Sequence, residues 1–175
     1  MCGIFSVINN DKKNFDILKY LKCIDNRGPD DFGWVEWQDK KVISSKEEKI
    51  VEGELIQGHV RLSIIDLSDL GSQPMISSCR QYSTSYNGEV YNYIELREEL
   101  EINGVKFNSD SDTEVVLKGY KFWGEKLFEK IDGQFAIVII DLTKHILLIS
   151  RDKFGEKPVF YYVDNNKIII GSELK

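Results

Sequence analysis

The chain has 175 residues, 42% of them hydrophobic and 30% charged, and a formal net charge of −6. That profile fits one soluble globular domain, long enough to bury about two thirds of its unfolded surface. It excludes a generic nucleic-acid footprint, which needs a basic stripe, and a helical membrane span, which needs about 20 consecutive apolar residues.

Strand signals open the chain: "CGIFSVI" is a buried-looking run ended by Asn9-Asn10-Asp11. Phe15, Leu18, Leu21 and Ile24 mark one face of a short helix over 15–24, and Cys23 adjoins that face as a packing residue. "RGPDDFG" breaks the pattern. "WVEW" and "KVISS" flank Gln38-Asp39-Lys40 as a hairpin, and "LIQGHV" and "LSIIDL" read as further extended segments. "SYNGEVY" places a turn between or beside strands. Two helices follow. Asn92, with Glu95 three residues on, makes a capping box for the first; the second begins near Asp112 or Thr113 and is interrupted by Gly124. The last third returns to strands, with "QFAIVIID" paired to "HILLISRD" and "PVFYYV" to "KIIIG". Hairpins outnumber crossovers, which predicts an α+β fold with antiparallel sheets and helices packed on their faces.

Three cysteines, Cys2, Cys23 and Cys79, with no CxxC spacing, argue against a disulfide framework and against zinc, and fit a reducing cytoplasm. His59 and His145 are isolated and read as strand or turn residues rather than metal ligands. Cys2 admits three readings: a small apolar residue starting a strand, a lipid attachment point, or the first residue of the mature protein. The stretch Ile4 to Ile8 has no basic leader and is too short for a signal sequence, and N-myristoylation needs glycine at position 2. The third reading carries chemistry. Loss of Met1 would put a thiol and a free α-amine on one carbon. An α-amine with a pKa near 7.7–8.0 is roughly a tenth to a sixth neutral at pH 7, so it can act as the thiol's base without tuning. Gly3 is then expected to let a substrate approach the backbone closely.

Nine segments in order, "MCGIF", "RGPDDFG", "GHVRLSIIDLS", "QPM", "YNGEVYNYIELREEL", "SDSDTEVVL", "DGQFAIVIID", "RDKFGEKPVFY" and "GSELK", resemble the class II glutamine amidotransferases, specifically the glutaminase domain of asparagine synthetase. The resemblance spans essentially the whole chain. It implies an N-terminal-nucleophile hydrolase: an αββα sandwich, two antiparallel β-sheets between helix layers, as a single domain over 1–175. It implies hydrolysis of glutamine to glutamate and ammonia, with Cys2 as nucleophile and Asn87 and Gly88 as the oxyanion hole. Arg61 is implied as the clamp on the substrate α-carboxylate, Asp112 and Glu89 as substrate contacts with Asp112 facing the α-ammonium, and the backbone through Leu62, Ser63, Ile64 and Ile65 as pocket lining. On the residues alone other readings stay open. Asn87-Gly88 is also the commonest hairpin turn pair, Asp112 is a good helix N-cap, and Arg61 fits a surface. Arg151 and Asp152 read as loop supports.

Two positions depart from the family pattern: Asn26 stands where histidine precedes "RGPD", and Val60 where a basic residue precedes "RLSI". The resemblance implies no metal or cofactor for this half. ATP and Mg are expected only in a C-terminal synthetase domain, in cis or in trans, that would use the ammonia. The sequence has no phosphate-binding glycine loop, and its end at "GSELK" leads us to expect that more protein follows. Asparagine formation is the leading expectation. An amidation of another acceptor such as a sugar acid, cleavage of a different amide, and a module that binds glutamine without hydrolysing it are the alternatives. Neither a nucleic acid nor a membrane is expected as a partner.

Overall fold

The protein is described from a computed structural model, which covers residues 1–9, 15–38, 41–46, 50–51 and 53–174. Two antiparallel sheets stack face to face. The larger is built from β1 (Gly3–Asn9), β3 (Asp31–Gln38), β4 (Lys41–Ser45), β6 (Leu55–Arg61), β11 (Phe160–Val163) and β12 (Lys167–Gly171), in the order β11-β12-β1-β6-β3-β4. The smaller contains β7 (Met75–Ile76), β8 (Tyr82–Val90), β9 (Gly133–Asp141) and β10 (Ile146–Arg151), in the order β10-β9-β8-β7. A separate two-stranded ribbon joins β2 (Phe15–Asp16) and β5 (Ile50–Val51). Helix α1 (Ile17–Cys23) covers the outer face of the large sheet. Helices α2 (Tyr93–Ile102), α3 (Asp112–Trp123) and α4 (Leu127–Lys130) cover the small one.

The alternation of side chains along a strand explains the layering. In β9, Phe135, Ile137 and Ile139 pack with Leu96, Leu100, Val115, Val116 and Tyr120 of the helices. The intervening Ala136, Val138 and Ile140 face the large sheet, where they meet Ile4, Ile170, Val35 and Trp37. A continuous apolar run is therefore what this strand requires, because both of its faces are covered. The fold is the expected α+β sandwich. Among the described residues, no helix is long and apolar enough to cross a membrane.

Several local expectations differ. Phe15 lies in β2, not in a helix, although it packs on the same cluster as Leu18, Leu21 and Ile24. The helix starts at Ile17 because Asp16 caps it, accepting from the Lys19 N–H at 3.2 Å. Cys23 is exposed rather than packed. Asn92 stands at the N-cap of α2 without capping it. Its side chain accepts from the Asp132 N–H and donates to the Lys130 carbonyl, tying the helix start to the lead-in of β9. "LSIIDL" is a loop, not a strand, and Asn87-Gly88 lies inside β8, not in a turn. The three later hairpin expectations stand: β3 pairs with β4, β9 with β10 and β11 with β12. Asp39-Lys40 and Asn10-Asp11 lie outside the described residues.

Candidate active site

Adjacent antiparallel strands bring opposite ends together. Gly3 at the start of β1 pairs with Val60 near the end of β6, so Cys2 comes beside Arg61 and Leu62. The Cys2 sulfur accepts from the Leu62 N–H at 3.4 Å and lies 3.7 Å from the Leu62 carbonyl. The Cys2 carbonyl accepts from Arg27 Nε at 2.9 Å. Burial pushes the thiol above its ordinary value. The Leu62 N–H, the N-terminal charge and Arg61 offset this in part, while Asp112 adds to it. The thiol is therefore protonated at neutral pH and needs a base.

Cys2 opens onto a cleft of about 240 Å³, suited to a compact metabolite. Met1, Arg61, Leu62, Ile64, Ile65, Asn87, Gly88, Glu89 and Asp112 line it as well. Nine of the ten expected site residues thus converge from three strand ends, the loop after β6 and one helix start. Ser63 does not line the cleft; its N–H turns away to Asp30 Oδ2 at 2.8 Å. Neither His59 nor His145 lines it. Gly3 does not face it either. A Cβ there would sit 2.7 Å from Val60 Cγ2 and 3.0 Å from Ile24 Cδ1, so packing under α1 demands the glycine, not substrate approach.

The buried Arg61 guanidinium donates to the carbonyls of Ile65, Asp66 and Ser68. This curls 62–68 around the cation and explains why that stretch is not a strand. Arg61 consequently supports the cleft wall as well as presenting charge to it.

The donors at the other end come from β8. Asn87 is 1% exposed, and its Nδ2 has no hydrogen-bond partner among the described residues. Such a group carries a desolvation cost of about 1–3 kcal/mol, which a ligand atom can relieve. Gly88 pairs with Phe135, whose N–H and carbonyl both turn the opposite way, to Asp152. The Gly88 N–H therefore points along the free edge of β8, in line with the Tyr86 N–H, which meets Gln73 Oε1, and the Val90 N–H, which meets Asp112 Oδ2. A Cβ on Gly88 would lie 2.1 Å from the Gln134 carbonyl, so the close approach of β9 imposes this glycine. Two neutral donors beside a thiol can hold the negative charge that builds on an amide oxygen under attack.

Asp112 is the first residue of α3, and Ser111 caps the helix, its Oγ accepting from the Thr113 N–H at 3.0 Å. That frees the Asp112 carboxylate for the cleft. Burial raises its pKa; hydrogen bonds from Tyr86, Val90 and Thr113 pull it back, and Glu89 raises it further.

A family model described as "Glutamine amidotransferase domain" matches residues 1–175. The chain belongs to this family. It is 38% identical over 181 residues to asparagine synthetase [glutamine-hydrolyzing] 1 of Bacillus subtilis, covering 100% of this chain and 26% of that protein. It is 36% identical over 191 residues to putative asparagine synthetase [glutamine-hydrolyzing] 2 of Methanocaldococcus jannaschii, covering 100% of this chain and 34% of that one. The amidotransferase domain thus spans about a quarter to a third of these relatives. Its fold is also that of glutamine phosphoribosylpyrophosphate amidotransferase from B. subtilis, at a TM-score of 0.77 and 20% identity, over 98% of this chain and 42% of that one. The allosteric regulatory enzyme of purine biosynthesis superposes at 0.80 and 21%, with the same two coverages.

In this amidotransferase domain, Arg27, Gln73, Tyr86, Thr113 and Lys157 also meet the site, and the sequence assigned none of them a role. Arg27 and Gln73 sit in quoted motifs, but nothing in "RGPD" or "QPM" announces the Cys2 carbonyl or the Tyr86 N–H as a partner. Asp152 accepts from the N–H groups of Phe135, Phe154, Glu156 and Lys157, the loop support expected of it, and so places Lys157 at the cleft.

Proposed function

We propose that this domain hydrolyses glutamine to glutamate and ammonia after Met1 is removed. The observation that carries the reading is that Asn87, whose Nδ2 has no hydrogen-bond partner among the described residues, lines the same cleft as the Cys2 thiol, Arg61 and Asp112. Met1 itself lines that cleft, with Lys157 Nζ 3.5 Å from its sulfur. Its loss both widens the cleft and creates the α-amine. The amine takes the thiol proton as sulfur bonds to the glutamine side-chain carbonyl carbon. The tetrahedral oxygen takes hydrogen bonds from Asn87 Nδ2 and Gly88 N–H. The carbon–nitrogen bond then breaks, the amine returns the proton to the leaving nitrogen, and ammonia departs. Water adds to the thioester carbon, the carbon–sulfur bond breaks, and the proton passes back to sulfur, leaving glutamate. Arg61 and Asp112, one cationic and one anionic, suit the two charged groups of a free amino acid.

The two asparagine synthetases named above support an asparagine-synthetase-like amidation, in cis or in trans, as the use of the ammonia; we further propose that it is ATP-dependent, that ATP and Mg belong to that partner domain and that the whole works in the cytoplasm. Ammonia release from glutamine tests the reading. The processed wild type should turn over and Cys2→Ala should lose at least a thousandfold. Equal rates, or full turnover by protein whose intact mass retains Met1, would remove it.

A further inference from the structure

The Tyr86 side chain faces the helices, away from Asn87, and lies in the cluster of Leu96, Val115, Val116 and Phe135. Only its hydroxyl reaches a polar group. It donates to Asp112 Oδ2 at 2.9 Å, with Tyr86 3% and Asp112 6% exposed. The backbone of the same residue is held separately. Its N–H donates to Gln73 Oε1 at 2.7 Å, and Gln73 Nε2 donates to Thr113 Oγ1, next to Asp112. A closed brace therefore runs from Tyr86 through Gln73 and Thr113 to Asp112 and back to the phenol. It joins the strand that carries Asn87 to the helix start that carries Asp112.

We propose that Tyr86 is a positioning residue for amino-acid selection: its hydroxyl aims the Asp112 carboxylate at the α-ammonium of the substrate. This rests on the glutamine reading above. The hydroxyl and the Val90 N–H, the latter at 3.4 Å, both donate to Oδ2. A phenylalanine at 86 would fill the same apolar pocket and leave the carboxylate to the weaker hold of the Val90 and Thr113 N–H groups. The other charged or titratable side chains that line the cleft with Asp112 are Glu89 on β8, the Cys2 thiol ahead of β1, Arg61 at the end of β6 and Lys157 from the loop before β11. Tyr86 is the neutral donor among them, and burial already pushes Asp112 upward. Removing the hydroxyl lets Asp112 protonate at higher pH, and a protonated acid no longer attracts an ammonium.

The test separates binding from turnover. Glutamine binding is measured by calorimetry on the full chain carrying Cys2→Ala, with and without Tyr86→Phe, from pH 8 to 5.5. The comparison ligand is glutaramate, which lacks the α-amine. Tyr86→Phe should weaken glutamine about tenfold at pH 7.5, or about 1.4 kcal/mol, with the gap widening as pH falls and glutaramate unaffected. Gln73→Met cuts the brace elsewhere and keeps the hydroxyl, so its loss should not depend on pH. Unchanged glutamine affinity overturns the proposal, as does an equal loss for both ligands or the same pH-dependent loss in Gln73→Met. Should Cys2→Ala bind no glutamine, this proposal and the glutamine reading fall together. Should it bind as expected while the wild type releases no ammonia, hydrolysis falls and the role of Tyr86 stands.

Discussion

Asn87 shows at the scale of one residue how stability and chemistry part company. Its Nδ2 is buried and makes no bond within the described residues, so the folded domain gains nothing from it. Asn87→Ala should therefore not lower the melting temperature while kcat for ammonia release falls about a hundred- to a thousandfold, the range for losing one donor to a developing oxyanion. Steady-state kinetics and a melting curve on the same preparation check both halves. Cys2 was legible as a candidate from its position next to Met1, whereas Arg61, Asn87 and Asp112 were expected in the cleft only through the resemblance to class II glutamine amidotransferases, and all four line it. Tyr86, Gln73 and Arg27 were not legible, because their roles exist only as contacts between segments 13 to 40 residues apart.

Strand β8 carries the argument one level up. Asn-Gly is a strong turn signal, and local propensity alone would have broken the strand there. Continuous pairing with β9 from Tyr82↔Asp141 to Val90↔Gly133 overrides it. Glycine is needed at 88 for closeness rather than for a turn, and so Gly88→Ala should cost about 3 kcal/mol through overpacking against the Gln134 carbonyl. Urea unfolding should show the loss, and the activity of the remaining folded fraction should fall with it as the donor edge shifts. The "LSIIDL" stretch was misread for a related reason. Its apolar residues suggest a strand, but Ile64 and Leu67 are exposed, and the chain is bent by Arg61 reaching its carbonyls, a force that no hydropathy pattern records.

The two sheets were readable as antiparallel from hairpin spacing, whereas what crosses between them was not. Their interface is partly polar. Gln57 donates to the Val138 carbonyl, Ser83 donates to Gln57, and His59 Nε2 donates to the Tyr86 carbonyl at 3.0 Å. Burial lowers the His59 pKa from 6.5 to about 4, so the ring is neutral in the folded protein. The unfolded chain takes up a proton below pH 6.5 while the folded one does so only near 4. Stability present above pH 6.5 is therefore lost progressively as pH falls to about 4, by about 3 kcal/mol from this group. Urea midpoints measured from pH 7.5 to 4.5 should show that loss in the wild type and a flatter profile in His59→Gln.

The short segment that follows β12 holds more than its size suggests. Ser172 exchanges two hydrogen bonds with Ile4, and Glu173 grips Arg27 at 3.2 Å, the same Arg27 that fastens the carbonyl of Cys2. A tether of three residues thus leads from position 173 to the backbone of Cys2. Trimming the polypeptide after Gly171 would spare the strands and helices described above yet remove the carboxylate that steadies Arg27 against the Cys2 carbonyl.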